Sequence, residues 1–269
     1  TSRRQRQMCI RDRLCIDVGN TNIKYGIFDG DKLKVSFRVA TDLKRTSDEY
    51  GTKLIDMLAV KGITAADIHG AIVSSVIPSL NYTISHMCTG YLEIEPIMVG
   101  PGTKTEHNLR VDNAREVGAD RIVNDVAAIR KYGAPVVVID FGTATTFNII
   151  NENREFIGGV IAPGIRGSMD SLVNSTAKLP RVEIEIPKSV IGKNTTTNMQ
   201  AGIVFGFAGL VDYIVRKIKR EMKRPDMKVV ATGGFSEIIA NEISCIDHVD
   251  KLLTLQGLKY LYDLNTEGK

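Results

Sequence analysis

A chain of 269 residues with 43% hydrophobic and 25% charged side chains has the balance of an ordinary globular protein, long enough for two moderate domains. The formal net charge of +4 is matched by the first thirteen residues, where Arg3, Arg4, Arg6, Arg11 and Arg13 stand against Asp12 alone. The body is therefore near neutral and offers no basic face for nucleic acid. No uncharged apolar run reaches the ~18 residues of a membrane span, and residues 1–13 are too polar for a signal peptide, so they read as a disordered or non-native extension.

From Leu14 the chain runs Leu-Cys-Ile-Asp-Val-Gly-Asn-Thr-Asn-Ile-Lys-Tyr-Gly-Ile-Phe28. An apolar run, a polar glycine turn and a second run rich in β-branched and aromatic residues predict a β-hairpin. An Asp closing a buried strand needs a partner, which points Asp17 toward a cleft that holds a cation. The glycine lets backbone N–H groups approach an anion, and the short Asn and Thr side chains add donors. Asp29-Gly-Asp31 is a turn leading to a third strand over 34–40. Ser47 with Glu49 opens a helix whose apolar positions Leu54, Ile55, Leu58 and Ala59 share one face, and Gly62 ends it. Ala71–Val76 is a buried strand stopped by Pro78; a helix near 79–89 and a strand near 97–99 follow. Gly100-Pro-Gly102 breaks the chain, a polar loop runs to Asn113, and a helix carries Arg115 to Lys131 along a seam of Val117, Ile122, Val126 and Ile129.

The second half repeats the plan. Val136 to Ile150 reads as another hairpin, with Asp140-Phe-Gly-Thr at its turn, and Phe156–Ile161 supplies a third strand. Pro163-Gly164 opens a helix toward Ala177, and a long polar excursion runs from Leu179 to Asn198. Gln200–Met222 reads as a long helix, Met227 to Glu237 as strand, Gly-Gly turn and helix, and Leu252–Leu264 as an amphipathic tail helix. The Thr232-Gly-Gly234 turn suits the adenosine end of a nucleotide. Two such halves predict an α/β protein of duplicated domains, each a mixed five-stranded sheet flanked by helices, with a phosphate cleft between them. The boundaries fall at 14–115 and 116–269. Cys9, Cys15, Cys88 and Cys245 show no CxxC spacing, and the four histidines are scattered, which leaves no zinc site and fits free thiols in a reducing cytoplasm.

With Asp17-Val-Gly-Asn-Thr-Asn22, Gly118-Ala-Asp-Arg121, Asp140-Phe-Gly-Thr-Ala-Thr145, Ala162-Pro-Gly164, Gly192-Lys-Asn-Thr195 and Thr232-Gly-Gly234 in place, the sequence resembles the type III pantothenate kinases. These belong to the ribonuclease H-like superfamily of sugar and acetate kinases, actin and heat-shock chaperones. The resemblance implies transfer of the ATP γ-phosphoryl group to pantothenate. It makes Asp120 the catalytic base and assigns Gly118, Ala119, Asp120 and Arg121 to pantothenate. It assigns Asp17, Val18, Gly19, Asn20, Thr21, Asn22, Ile23, Lys24 and Thr143 to ATP, with Asp17 near Mg²⁺ through water. By the same resemblance Asp140 binds a monovalent cation, K⁺ or NH₄⁺, and Thr195 reaches pantothenate from the partner subunit of a homodimer. Lys24 also reads, from its place in a strand, as a lysine reaching solvent. The family often has a Tyr seven residues before Gly118, where this chain has Val111. Three other functions compete: a sugar or short-acid kinase, which would lack Arg115-Glu-Val-Gly-Ala-Asp-Arg121; a chaperone-like nucleotide switch, which needs more chain; and a transcriptional accessory protein, which the neutral body disfavours.

Overall fold

A computed structural model describes residues 12–266, and it divides into two compact units. The first takes the chain up to Glu106, Arg115–Val126 and the chain from Thr254 onward; the second takes His107–Ala114 and Ala127–Leu253.

In the first unit a five-stranded sheet has the order β3-β2-β1-β4-β5, built from β1 (Asp12–Val18), β2 (Asn22–Asp29), β3 (Lys32–Ala40), β4 (Ile68–Ser75) and β5 (Ile97–Met98). The first three strands form an antiparallel meander, while β4 and β5 join parallel to β1. A strand buried on both faces needs an unbroken apolar run, and in β1 Leu14, Cys15, Ile16 and Val18 are all fully enclosed. β3, on the edge, alternates between exposed and half-buried instead. The helix α1 (Ser47–Val60) opens at Ser47 as expected and is capped by the residue before it: Thr46 accepts from the Glu49 backbone, and the Glu49 carboxylate accepts from Thr46, which closes a capping box. The helix α2 (Pro78–Leu92) starts with proline in its first turn, where a missing N–H costs nothing.

The second unit has a six-stranded sheet in the order β11-β10-β7-β8-β9-β6. Its strands are β6 (Asn108–Leu109), β7 (Val136–Phe141), β8 (Ala144–Ile150), β9 (Glu155–Pro163), β10 (Lys228–Gly233) and β11 (His248–Val249). The meander β7-β8-β9 repeats β1-β2-β3, with β10 parallel to β7 as β4 is to β1. The remaining helices of the chain are α3 (Ala119–Tyr132), whose first half belongs to the first unit, α4 (Ile165–Asn174), α5 (Thr195–Glu221), α6 (Ser236–Ala240) and α7 (Leu253–Thr266), which belongs to the first unit from Thr254 onward. Ile203, Val204, Phe207, Val211, Val215 and Ile218 of α5 form the apolar stripe that joins the core of this unit.

Four expectations change. The second sheet gains a sixth strand, because Asn108–Leu109 of the polar loop pairs with β9. Arg115 and Glu116 lie in a 3-10 turn, and the α-helix proper begins at Ala119, just past Gly118. The helix expected from Gln200 begins at Thr195, because the Asn194 side chain caps it. Lastly, a single cut at 115/116 gives way to a discontinuous division. α7 returns to the first sheet: Leu255 packs over Gly26, Tyr262 over Gly70, and Lys259 pairs with Asp31 and Asp263. The expected extension over residues 1–13 falls almost wholly outside the described residues, although Asp12 and Arg13 belong to β1. Among the described residues no helix is long and apolar enough to cross a membrane.

Candidate active site

The β1–β2 turn closes when the Gly19 N–H donates to the Asn22 carbonyl at 3.1 Å. It is held from behind by Thr41, whose hydroxyl donates to the Gly19 carbonyl at 2.6 Å and whose N–H donates to the Thr21 carbonyl at 3.0 Å. Asn20 and Thr21 are exposed at the tip, and Asn22 is half-buried. Val18 and Ile23, expected among the ATP residues, have fully enclosed side chains, so only their backbone could face a ligand. Asp17 is 6% exposed and lies opposite Lys24 in the strand register. The Lys24 ammonium stands 3.3 Å from the Asp17 carboxylate, so this lysine is ion-paired as well as solvent-facing. On the other side of β1, Ser74 is the parallel neighbour of Asp17 and is fully buried, with a hydroxyl that has no hydrogen-bond partner among the described residues.

The N-terminus of α3 belongs to the same unit. Val76 donates its N–H to the Val18 carbonyl, and its side chain borders Gly118. The Gly118 carbonyl accepts from the N–H groups of Arg121 and Ile122, which winds the first turn. Asp120, second in the helix, turns its carboxylate back over that turn: Oδ1 accepts from the Arg121 N–H at 2.8 Å. A Cβ at Gly118 would come within 2.5 Å of that same oxygen. A side chain there would displace the Asp120 carboxylate from this position. Ala119, Asp120 and Arg121 are all half-buried. Burial pushes the Arg121 guanidinium below its ordinary value, opposed by the carboxylates of Asp125 and Asp120. An arginine starts so high that it stays cationic.

In the second unit Asp140 closes β7, opposite Thr146 of β8 and parallel to Thr232 of β10. The turn is Gly142-Thr143, with the Gly142 N–H donating to the Ala144 carbonyl at 3.1 Å, and Thr143 is exposed. Gly233 has φ +94°, and a Cβ there would lie 2.6 Å from Asp140 Oδ1 and from the Phe141 carbonyl oxygen. A carboxylate and a backbone carbonyl thus converge on a position that tolerates no side chain. The Thr232-Gly-Gly234 turn and the Asp140 hairpin are brought together by this pairing. Thr195 sits apart from them, exposed as the first residue of α5, where the Asn194 cap accepts from the Thr197 N–H. Val111 is half-buried, just after β6.

Three features bear on cofactors and side reactions. Among the described residues no three His, Cys, Asp or Glu side chains cluster as a metal cage. Magnesium suits such a chain only where substrate phosphates and water supply most of its ligands, and the enclosed Asp17 carboxylate beside the glycine turn fits that pattern. Burial raises the thiols of Cys15 and Cys88, the latter to about 12, so neither is a thiolate nucleophile. Cys9 lies outside the described residues. Sequence reasoning passed over Ser74, whose only signal is a serine pair ending an otherwise apolar strand beside the Asp17 strand.

Two ribonuclease H-like units, each opening on an Asp-x-Gly hairpin, place this protein in the class of sugar-kinase and actin-like ATPase folds. Two solved structures share the fold. One is described as a 2-dehydro-3-deoxygalactonokinase of Sinorhizobium meliloti, with TM-score 0.62 and 12% identity over 96% of this chain and 98% of that one. The other is described as a Baf family transcriptional activator of Campylobacter jejuni, with TM-score 0.59 and 20% identity over 94% and 98%. Sequence narrows the class. Residues 13–217 match the family model for type III pantothenate kinase. A type III pantothenate kinase of Geobacillus thermodenitrificans is 50% identical over 254 residues, 94% of this chain and 98% of the relative. The chain belongs to the type III pantothenate kinase family.

Proposed function

We propose that the protein transfers the γ-phosphoryl group of ATP to the primary hydroxyl of pantothenate, giving 4'-phosphopantothenate and ADP, the first step of coenzyme A biosynthesis. The observation that carries this reading is the Asp120 carboxylate, held over Gly118 at the start of α3 in a chain that belongs to this family. An alcohol is a weak nucleophile, and phosphoryl transfer asks the protein mainly for alignment and charge neutralisation. Asp120 accepts the hydroxyl proton as the oxygen bonds to phosphorus and the bond to ADP breaks. Arg121 holds a polar group of pantothenate by charge-assisted hydrogen bonds, and the Gly118-Ala119 backbone lines its path.

At the first hairpin, Gly19 to Asn22 present backbone and side-chain donors to the β- and γ-phosphates, with Lys24 adding positive charge. Magnesium, when bound, neutralises phosphate charge, and Asp17 orients its water shell. In the second unit Thr143 is assigned to a phosphate oxygen and Asp140 to a monovalent cation. The convergence of Asp140 Oδ1 with the Phe141 carbonyl on Gly233 supports that assignment, since it brings two oxygen donors together. We also assign the protein to the cytoplasm, where buried free thiols are stable. It acts there as a homodimer in which Thr195 reaches pantothenate bound by the partner. The exposed apolar side chains Ile161, Val190 and Ile191, at 68%, 67% and 73% exposure, support a subunit contact.

Coupled measurement of ADP release tests the assignment. Turnover is expected to require pantothenate, and Asp120→Asn is expected to lower kcat about 10²–10⁴-fold with the melting temperature unchanged. ATP hydrolysis indifferent to pantothenate, or an Asp120→Asn variant with full activity, overturns it.

A further inference from the structure

The residue that follows the third strand of each meander sits beside the glycine turn, and it differs between the units. Ala40, last in β3, lies opposite Asn22, first in β2; Pro163, last in β9, lies opposite Ala144, first in β8. The next residue is Thr41 in the first unit and Gly164 in the second, so the two hold equivalent places. A Cβ at Gly164 would collide with the Thr143 carbonyl oxygen, which leaves no room for a side chain. Thr41 uses its side chain: the hydroxyl donates to the Gly19 carbonyl at 2.6 Å. Both turns nevertheless close alike, with a glycine N–H reaching a carbonyl of the returning strand at 3.1 Å. Closing such a turn does not require the hydroxyl.

What the hydroxyl does is orient a peptide. The first turn opens on glycine, whose backbone has the widest choice of conformations. A planar trans peptide points its C=O and N–H in opposite directions. Fastening the Gly19 carbonyl to Thr41 therefore turns the Asn20 N–H away from Thr41 and holds it there. Asn20 is exposed at the tip, and its N–H meets no acceptor among the described residues. Thr41 is itself braced from both sides. Its own N–H donates to the Thr21 carbonyl at 3.0 Å. Next to it, Tyr50, fully buried in α1, grips Asp42: the phenol accepts from the Asp42 N–H and donates to the Asp42 carbonyl, both at 2.9 Å.

We infer that Thr41 is a positioning residue for nucleotide binding, whose hydroxyl pins the Gly19–Asn20 peptide so that the Asn20 N–H is set for a phosphate oxygen before the nucleotide arrives. This rests on the kinase reading above. The hydroxyl acts through the turn and touches no substrate, so its loss is felt where phosphate binds and not where pantothenate does.

Calorimetric titration of the full chain with ADP, beside steady-state kinetics in both substrates, separates this role from a merely structural one. Thr41→Val keeps the shape and the backbone N–H and loses only the hydroxyl. It is expected to weaken ADP about 3–10-fold, the worth of one hydrogen bond, and to raise KM for ATP by a similar factor with KM for pantothenate unaltered. Thr41→Ser restores the donor and is expected to return both values toward wild type. Thr41→Ala gives the same contrast with Thr41→Ser if the valine variant does not fold. A lowered melting temperature with ADP binding unchanged, a rise in both KM values together, or a serine variant as weak as the valine one overturns the inference. A wild-type chain that fails to bind ADP overturns the kinase reading as well. A wild-type chain that binds ADP while Thr41→Val matches it overturns Thr41 alone.

Discussion

The two Asp-x-Gly hairpins share a backbone and differ in charge. In each, a buried strand ends one residue past an aspartate, and a glycine N–H closes the turn at 3.1 Å onto a carbonyl of the returning strand. Across the first hairpin Asp17 faces Lys24, with ammonium and carboxylate 3.3 Å apart. Across the second, Asp140 faces Thr146, and its carboxylate is pressed against Gly233 of β10. The Lys24 charge offsets part of the Asp17 charge, which weakens that carboxylate as a trap for a bare divalent ion. It still serves an ion that arrives with phosphates. Asp140, proposed for a singly charged ion, lies in register between Thr146 and Thr232. On the proposed roles, one duplicated frame serves two ions of different charge, and the cross-strand residues Lys24 and Thr146 differ with them.

The largest effect that can break this comparison is on magnesium. Asp17→Asn is expected to raise the Mg²⁺ concentration for half-maximal turnover about 10–100-fold, with the K⁺ requirement unchanged, as read by titrating each ion separately. Asp140→Asn is expected to show the reverse at a smaller scale: about a tenfold rise in the K⁺ requirement, in the range of an outer-sphere ligand loss, at constant Mg²⁺ response. Replacement of K⁺ by Na⁺ is expected to remove most wild-type activity. If both variants disturb the same ion, the two hairpins are not divided as described. Smaller again is Lys24→Thr, which gives the first hairpin the second's cross-strand residue. Lys24 is partly exposed but Asp17 is enclosed, so losing the lysine is expected to cost about 1–3 kcal/mol of stability. It is expected to raise KM for ATP a few-fold while lowering the Mg²⁺ requirement, because Asp17 loses its internal counterion.

Much of this was legible because the signals are local. The apolar runs of β1 and β7, the turn glycines and the aspartates between them can each be read from fewer than a dozen residues, and so can the Gly118–Arg121 run. What sequence concealed is decided elsewhere in the chain. Asn108–Leu109 becomes a strand only because the edge of β9 is there to pair with it. Thr195–Asn198 are poor helix formers on their own, and they enter α5 because Asn194 caps the helix and the Ile203–Ile218 stripe anchors its body. α7 reads as an amphipathic tail, yet its destination is set by Gly26 and Gly70, which leave room on the first sheet for Leu255 and Tyr262. In the site, Asp17 and Asp120 stood out through motif context. Ser74 carries no motif, and only its unmet hydrogen bond reveals it.

The far ends of the two meanders extend the contrast and give the smallest effect on catalysis. In the second unit the β8–β9 turn is held locally: Asn151 and Arg110 both bond the Glu155 carboxylate. In the first, the β2–β3 turn is held from the other end of the chain, where Lys259 of α7 pairs with Asp31 and, at 2.8 Å, with Asp263. Burial alone would lower the Lys259 pKa, but its bonds to Asp263 and Asp31 outweigh that and raise it. Asp31 is 91% exposed, so solvent screens its share, and the enclosed Asp263 contact carries most of the stabilisation. A lysine with a raised folded-state pKa contributes fully below its unfolded value, about 10.4, and loses that contribution as pH climbs through the folded value. Lys259→Met is therefore expected to cost about 2 kcal/mol at neutral pH, measured by urea unfolding, with kcat and both KM values unchanged. The gap between wild type and variant should hold through the neutral range and close only in strong alkali. No gap at neutral pH, or a gap that already closes between pH 6 and 8, would mean that this lysine does not fasten the last helix to the first sheet.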